Sequence, residues 1–287
     1  MKKKTIVFDC DNTFGMKGRD VDDGLALLYL LGHPCADLLG VTTTYGNSRT
    51  EAVYANTLKM VREIGREGLP VKRGGESPGD HKSEAVDFLV EMADSHEGEL
   101  SVLATGALTN LGGAYEKDPH FFEKIKEIVL MGGITEPLLF EKGRMDELNF
   151  TCDREATFSV LTKGRNVSVI TGNNCLKVLF TREEYRRELK KDTPIFSYIR
   201  ERTDYWFNDN MDDYGIQGFY NWDVTAGVYL MEPGLFQDGR KRMEIRMEDL
   251  REGWLREAGE ANCVLNLPEI REEKAFKQNI YEMWGRA

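Results

Sequence analysis

Short apolar runs and amphipathic stretches alternate along most of this chain. Thr5–Phe8, Leu38–Thr43, Ser101–Ala104, Glu127–Met131 and Val167–Thr171 are brief and rich in β-branched or aromatic residues, which predicts buried strands. Between them, apolar residues recur at helical spacing near 50–64, 84–94, 108–117 and 154–163. After Asp22 and Asp23, Leu25, Leu27, Leu28 and Leu31 keep the same spacing, so the two acids are expected to open a helix. Further helices are expected at 181–191, 194–208, 221–230 and 272–284, with strands at 243–247 and 261–265. Strand–helix alternation of this kind builds an α/β fold: an open, mostly parallel, Rossmann-like sheet with helices on both faces. No linker rich in Pro, Gly or Ser divides the 287 residues, which predicts a single domain over 1–287.

Charge narrows the partners. The formal net charge is −11, which disfavours nucleic acid and an anionic membrane surface. No apolar stretch reaches the roughly 20 residues of a membrane span. The basic opening MKKK is followed by only a short apolar run, not by a signal-peptide core. The five cysteines are scattered and lack CxxC spacing, so neither disulfides nor zinc are expected. A cytoplasmic location and a homo-oligomer, dimer or tetramer, are the expectations.

The candidate chemistry lies near the N-terminus. Asp9 and Asp11 follow the first strand, and Asp22 and Asp23 begin the next helix. Carboxylates packed together share protons, meet a cation or splay into water. Oxygen-only donors suit Ca²⁺ or Mg²⁺. The plainer alternative is that Asp22 and Asp23 only cap their helix while Asp9 and Asp11 are solvated. Loops after later strands add hydrogen-bonding groups: Gly46-Asn47, Thr105-Gly106, Gly132-Gly133 and Asn173-Asn174. Ligands in open α/β sheets bind at that strand edge.

These segments, in order, resemble the inosine–uridine nucleoside hydrolase family. Asp9-Cys10-Asp11, Asp22-Asp23-Gly-Leu-Ala-Leu, VTTTYGN, PVKRG, LATGALTNL, IVLMGG, ELNF–DREA and NWDVTA carry the resemblance. It implies metal-dependent hydrolysis of a ribonucleoside to base and ribose, with Ca²⁺ as cofactor and Mg²⁺ the less favoured ion. By the same resemblance Asp11 is general base and metal ligand, and Asp23, Asp223 and the Thr105 carbonyl complete the ligand set. Asp22, Asn47, Glu147, Asn149 and Asn173 would hold the sugar hydroxyls, and Asp9 would support the site from behind. N-glycosidic cleavage passes through an oxocarbenium-like state, which nearby carboxylates stabilise.

The chain departs from the family in three places. The loop 12–21 between the two acidic pairs is about eight residues longer, and either covers the sugar or is a solvated flap. Trp222 precedes Asp223 where the family has histidine, and either stacks on a base or belongs to the core. The segment 131–149 and the loop holding His81 are altered, so base recognition does not carry over. His81 is a candidate on the base side, and Tyr205, Trp206, Tyr214, Phe219 and Tyr220 offer aromatic faces. Two other classes stay open. VFDCDNT also looks like the first motif of haloacid-dehalogenase-type phosphatases, with Asp9 as nucleophile, Asp11 as acid/base, Thr13 in support, and Lys177 and Asp212-Asp213 completing a Mg²⁺ site. A non-catalytic ribosyl-binding protein on the same scaffold is the other.

Overall fold

The computed structural model of the chain describes residues 3–190 and 193–287. The first part alternates β1 (Lys4–Cys10), α1 (Asp22–Gly32), β2 (Ala36–Thr43), α2 (Thr50–Glu63), β3 (Val71–Arg73), α3 (Glu84–Ser95), β4 (Leu100–Ala104), α4 (Thr109–Lys117), α5 (Phe121–Lys124) and β5 (Glu127–Met131). A hairpin of β6 (Leu138–Leu139) and β7 (Arg144–Met145) follows, then α6 (Asn149–Cys152), α7 (Arg154–Lys163), β8 (Val167–Ile170) and α8 (Gly172–Cys175). The remainder holds α9 (Arg182–Glu188), α10 (Pro194–Tyr214), α11 (Trp222–Met231), β9 (Phe236–Gln237), β10 (Arg240–Glu244), β11 (Arg256–Glu257), β12 (Cys263–Asn266), β13 (Glu269–Ile270) and α12 (Glu273–Trp284).

Nine strands form one sheet in the order β11-β10-β12-β8-β5-β4-β1-β2-β3. From β12 to β3 every neighbouring pair is parallel, and β10 runs antiparallel to both its neighbours. The strand order reverses at β1, which lies between β2 and β4. Loops leaving β1 and its neighbours therefore diverge there and open a crevice at the carboxyl edge. The expected architecture is the observed one.

Two cores cover the two faces. Alternation along β1 sends Ile6, Phe8 and Cys10 into one core and Val7 into the other. The first core packs α1, α11 and α12 on the sheet, and the second packs α3, α4 and α7. Both faces of β1 and β4 are thus apolar, as a parallel sheet requires.

Most expected elements lie within one to three residues of their observed bounds. α10 differs most, running on to Tyr214 rather than stopping at 208. Its last turns, NDNMDDY, have weak helix propensity. Gly215, at φ 75°, ends the helix in the left-handed conformation that glycine adopts without steric cost. The strand expected at 243–247 is β10, three residues earlier, where the charged run Arg240–Arg242 and Met243 pair with β12. The helix expected at 181–191 is α9; position 191 and the first two residues of MKKK lie outside the described residues. Cys10, Cys152, Cys175 and Cys263 are free thiols. No helix among the described residues is long and apolar enough to cross a membrane.

α12 closes the first core, with fully buried Trp284 donating its indole N–H to the Leu25 carbonyl at 2.9 Å. Close approach at Gly32 makes this possible: a Cβ there would lie 1.9 Å from the Met283 carbonyl oxygen. Backbone gives way less easily than a side chain. Gly32→Ala is expected to lower stability by about 1–3 kcal/mol through overpacking. Urea denaturation measures it, and an unchanged midpoint would show that α12 shifts without cost.

Candidate active site

Asp11 lies just beyond β1, completely buried. Its Oδ2 accepts the backbone N–H of Asn47 at 2.5 Å, and its Oδ1 accepts the Asn47 side-chain amide at 3.3 Å. The turn after β2 reaches Asp11 because position 46 is glycine: a Cβ there would lie 2.1 Å from Asp11 Oδ2. The turn after β4 brings Thr105, whose hydroxyl donates to Asp23 Oδ1 at 2.7 Å.

Asp22 and Asp23 open α1 as expected, behind Val21, which offers no side-chain cap. Asp22 Oδ2 instead accepts the backbone N–H of Asp223 at 3.0 Å, joining the starts of α1 and α11 across 201 positions. Carboxylate oxygens of Asp22, Asp23 and Asp223 lie within 4.8 Å of one another. The expected ligand set had Asp11 in that trio rather than Asp22. Asp11 interacts with Asp23 and Asp22, while its bonds to Asn47 draw it to one side. All four acids are buried.

No Lys, Arg or His among the described residues is ion-paired with any of these four. Burial is the main cause that pushes every one above the carboxylate range, with repulsion among them adding to it at Asp11, Asp23 and Asp223. Asp11 rises from 3.8 to about 6, while Asp23 and Asp223 rise well beyond normal. Oxygen donors with uncompensated negative charge fit a hard divalent cation.

Asp9 stands behind the floor. Its Oδ1 accepts the Thr42 hydroxyl and the Asn110 amide, at 2.5 and 2.8 Å. Its Oδ2 is buried without a partner, and burial raises the carboxyl to about 7. Asn110 also donates to the Thr43 carbonyl and accepts the Gly75 N–H, which ties the first three parallel loops together.

Above this floor is a cleft of about 240 Å³. Asp22, Asn47, Thr105, Glu147, Asn149, Trp222 and Asp223 line it, all expected site residues. Glu147 spends its carboxylate on the N–H groups of Gly133, Phe150 and Thr151, so it shapes the 131–149 segment. Asn149 donates its amide to the Met131 carbonyl at 3.0 Å. Trp222 is 7% exposed and packs 5.2 Å from the Tyr220 ring, so it belongs both to the core and to the cleft. A larger groove of about 840 Å³, bounded by α9 and α12, is lined by opposite charges that pair, such as Lys277 with Glu184 and Glu273.

Two expected residues lie elsewhere. Asn173 Oδ1 accepts the N–H groups of Thr135 and Glu136, holding that loop without lining the cleft. His81 pairs with Glu116 near α3 and α4, also away from the cleft.

Sequence reasoning missed Asp20, half-buried in the cleft wall, whose carboxyl is held well above normal by burial and by Asp22. Its signal was a fifth acid two residues before the Asp-Asp pair. The 12–21 loop is neither a flap nor a full cover. Phe14 is 3% exposed against Gly24, and the loop end contributes Gly18, Arg19 and Asp20 to the cleft. Of the aromatic candidates, Trp206 and Tyr214 line the cleft, whereas Phe219 is fully buried among Phe180, Tyr185 and Phe207.

Sheet topology, a carboxyl-edge cleft and a cation-deficient carboxylate cluster together describe an α/β protein with a candidate metal site at its strand edge. The chain belongs to the inosine-uridine preferring nucleoside hydrolase family, whose sequence model matches residues 6–266. As a member it is an N-glycosyl hydrolase acting on nucleosides, which sets aside the binding-only reading. Uridine nucleosidase 1 of Arabidopsis thaliana is 29% identical, over 79% of this chain and 75% of that one. A pyrimidine-specific ribonucleoside hydrolase of Escherichia coli is 25% identical, over 86% and 83%. The fold matches a plant nucleoside hydrolase with TM-score 0.86 at 21% identity, covering 98% of each chain. It matches a purine-preferring ribonucleoside hydrolase from Gardnerella vaginalis with TM-score 0.84 at 22% identity, again over 98% of each. The phosphatase reading falls: Asp9 is internal, Thr13 donates to the Asp20 carbonyl, and Lys177 pairs with Glu269.

Buried acids make the cation-free protein sensitive to pH. Asp9 and Asp11 titrate near 7 and 6 in the fold but near 3.8 when unfolded, so the folded state binds more protons between these values. Stability from this source is complete below about pH 4 and is lost as pH rises through about 7. Acids held below normal by partners, Asp118, Glu123, Glu252 and Glu269, act in the opposite direction only at lower pH. Chelator-treated protein should therefore melt at a lower temperature at pH 7.5 than at pH 5.5. Added Ca²⁺ should raise the melting temperature more at pH 7.5. Equal melting temperatures with no response to Ca²⁺ would contradict the cation-site reading.

Proposed function

We propose that this protein is a Ca²⁺-dependent ribonucleoside hydrolase that releases a free base and ribose, with Asp11 as general base. The observation that carries this reading is the cluster of Asp22, Asp23 and Asp223, buried with no basic side chain paired to it among the described residues, with Asp11 against it and Asp22 and Asp223 opening onto the cleft. Asp11, Asp23, Asp223 and the Thr105 carbonyl would hold the ion, and Asp22 stands close enough to share in that role. When bound, the cation makes a water easier to deprotonate.

The chain's own groups do the rest. Asp11 takes the proton from the attacking water. Burial already lifts its affinity for protons toward neutrality, which suits a general base. The bonds from Asn47 fix the orientation of that carboxylate. As the C1′–N bond lengthens, positive charge grows on the sugar, and the surrounding carboxylates stabilise it. Asp22, Asn47 and Asn149 border the same space and supply contacts for sugar hydroxyls. Glu147 and Asn173 act indirectly, through the 131–149 segment and the Thr135-Glu136 loop. Losing a hydroxyl leaves such acceptors buried and unpaired, so ribose is favoured over deoxyribose.

Incubation with a panel of ribonucleosides and Ca²⁺, with reducing sugar assayed, tests the reading; no release from any member would defeat it. Asp11→Ala should lower kcat by at least about 10²-fold, the scale of a lost general base. Its melting temperature should stay close to that of the wild type, since the change also relieves repulsion. Wild-type-like turnover in that variant would remove Asp11 as base. If Trp222 contacts the base, Trp222→Ala raises KM for aromatic bases more than it lowers the melting temperature; an unchanged KM assigns Trp222 to the core alone.

A further inference from the structure

The 12–21 loop and α10 border the cleft, and the chemistry above leaves both unused. Hydrogen bonds join them. The Tyr205 hydroxyl on α10 is shared between the carbonyls of Met16 and Arg19, at 2.9 and 3.0 Å. The Asp209 carboxylate, one turn further along α10, takes the Gly18 N–H. Within the loop, the Thr13 hydroxyl donates to the Asp20 carbonyl at 2.9 Å. Asp20 stands at the end of this clamped segment. Its Oδ1 accepts the Val21 N–H at 2.6 Å, and its carboxyl is also hydrogen-bonded to that of Asp22.

Asp22 is therefore held from two elements that are distant in sequence. The Asp223 N–H meets its Oδ2 at 3.0 Å, and Asp20 meets it from the loop. Two carboxyls bond through a proton between them, and here Asp20 is the donor and Asp22 the acceptor. The last torsion of an aspartate is broad, so the backbone alone does not say where its two oxygens face. Partners do. A carboxylate gripped at two points offers its remaining lone pairs in one direction. Asp22 borders the cleft where sugar hydroxyls are to be met, so that direction matters. An asparagine at position 20 has the groups for the same two bonds: a carbonyl to accept from Val21 and an amide to donate to Asp22.

We propose, resting on the nucleoside hydrolase reading, that Asp20 is a positioning residue for the sugar: it holds Asp22 in the orientation that meets a ribose hydroxyl, and Tyr205 holds Asp20 in place. The longer 12–21 loop then serves the sugar end of the substrate. Asp20 itself touches neither the base nor the attacking water in this role; it acts through Asp22.

Kinetics at saturating Ca²⁺ tests this, with uridine and inosine as substrates. The 2′-deoxy and 3′-deoxy analogues of the better one are compared with it, as substrates or, where uncleaved, as competitive inhibitors. Asp20→Ala should lower kcat/KM on the ribonucleoside about 10- to 100-fold, the scale of a lost orienting partner. It should also narrow the preference for the ribonucleoside over at least one deoxy analogue. Asp20→Asn should recover most of both losses. Tyr205→Phe should cost severalfold in kcat/KM, and that cost should disappear in the Asp20→Ala background, because both changes act on Asp22. A residue that only braced the loop would move the melting temperature and leave the sugar preference untouched. If Asp20→Ala does not fold, Tyr205→Phe still decides, since it too must narrow the sugar preference. An unchanged preference in the folded variants, a loss in Asp20→Asn as large as in Asp20→Ala, or additive effects of the two sites overturns the inference. No release of ribose by the wild type removes the hydrolase reading and this inference with it. Wild-type turnover with an unchanged sugar preference in the variants sinks only the role of Asp20.

Discussion

The structure is organised around one electrostatic problem: four carboxylates, drawn from the ends of β1, α1 and α11, lie buried beside one another with no basic side chain among the described residues paired to them. Taking anions out of water is costly unless something positive meets them. The surroundings offer only partial relief. Asn47 donates twice to Asp11, Thr105 once to Asp23, and the Asp223 backbone once to Asp22. What remains is uncompensated negative charge, which a divalent cation would neutralise.

The sheet explains why the acids meet. With β1 at the point where strand order reverses, the loops after β1, β2 and β4 converge on one edge. Gly46 then lets backbone approach Asp11, and Gly106 lets it approach Thr44, more closely than a Cβ would allow. Asn110 ties those loops together from behind through Asp9, Thr43 and Gly75. The floor is therefore built from strand ends, whereas the wall is built from the 12–21 loop, the 131–149 segment and α10. The clamp of Tyr205 and Asp209 on the 12–21 loop turns a longer connection into ordered structure.

Much of this was legible in the sequence. The strand–helix alternation announced the parallel sheet, and the acids after the first strand announced the site. The cases that were not legible share a cause. His81 is a chemically attractive residue, but the path of the chain before α3 carries it to Glu116 and away from the cleft. Asn173 follows a strand as a ligand-binding asparagine would, yet its side chain turns to the Thr135-Glu136 loop. Asp20 looked like one more charge in a polar loop until α10 folded that loop onto the cleft. The length of α10 was hidden as well, because its last turns are stabilised by place rather than by propensity.

The sequence by itself determined which residues are apolar at which period, and so the layers of the fold and the helix opened by Asp22-Asp23. Those are local properties, written in neighbouring positions. Only the tertiary structure decided which acids share one space, that Asp22 rather than Asp11 completes the tightest trio, and which aromatic rings face the cleft. Such facts depend on distances between residues up to 201 positions apart, and in a folded chain those distances are set by how whole elements pack, not by the residues that happen to meet.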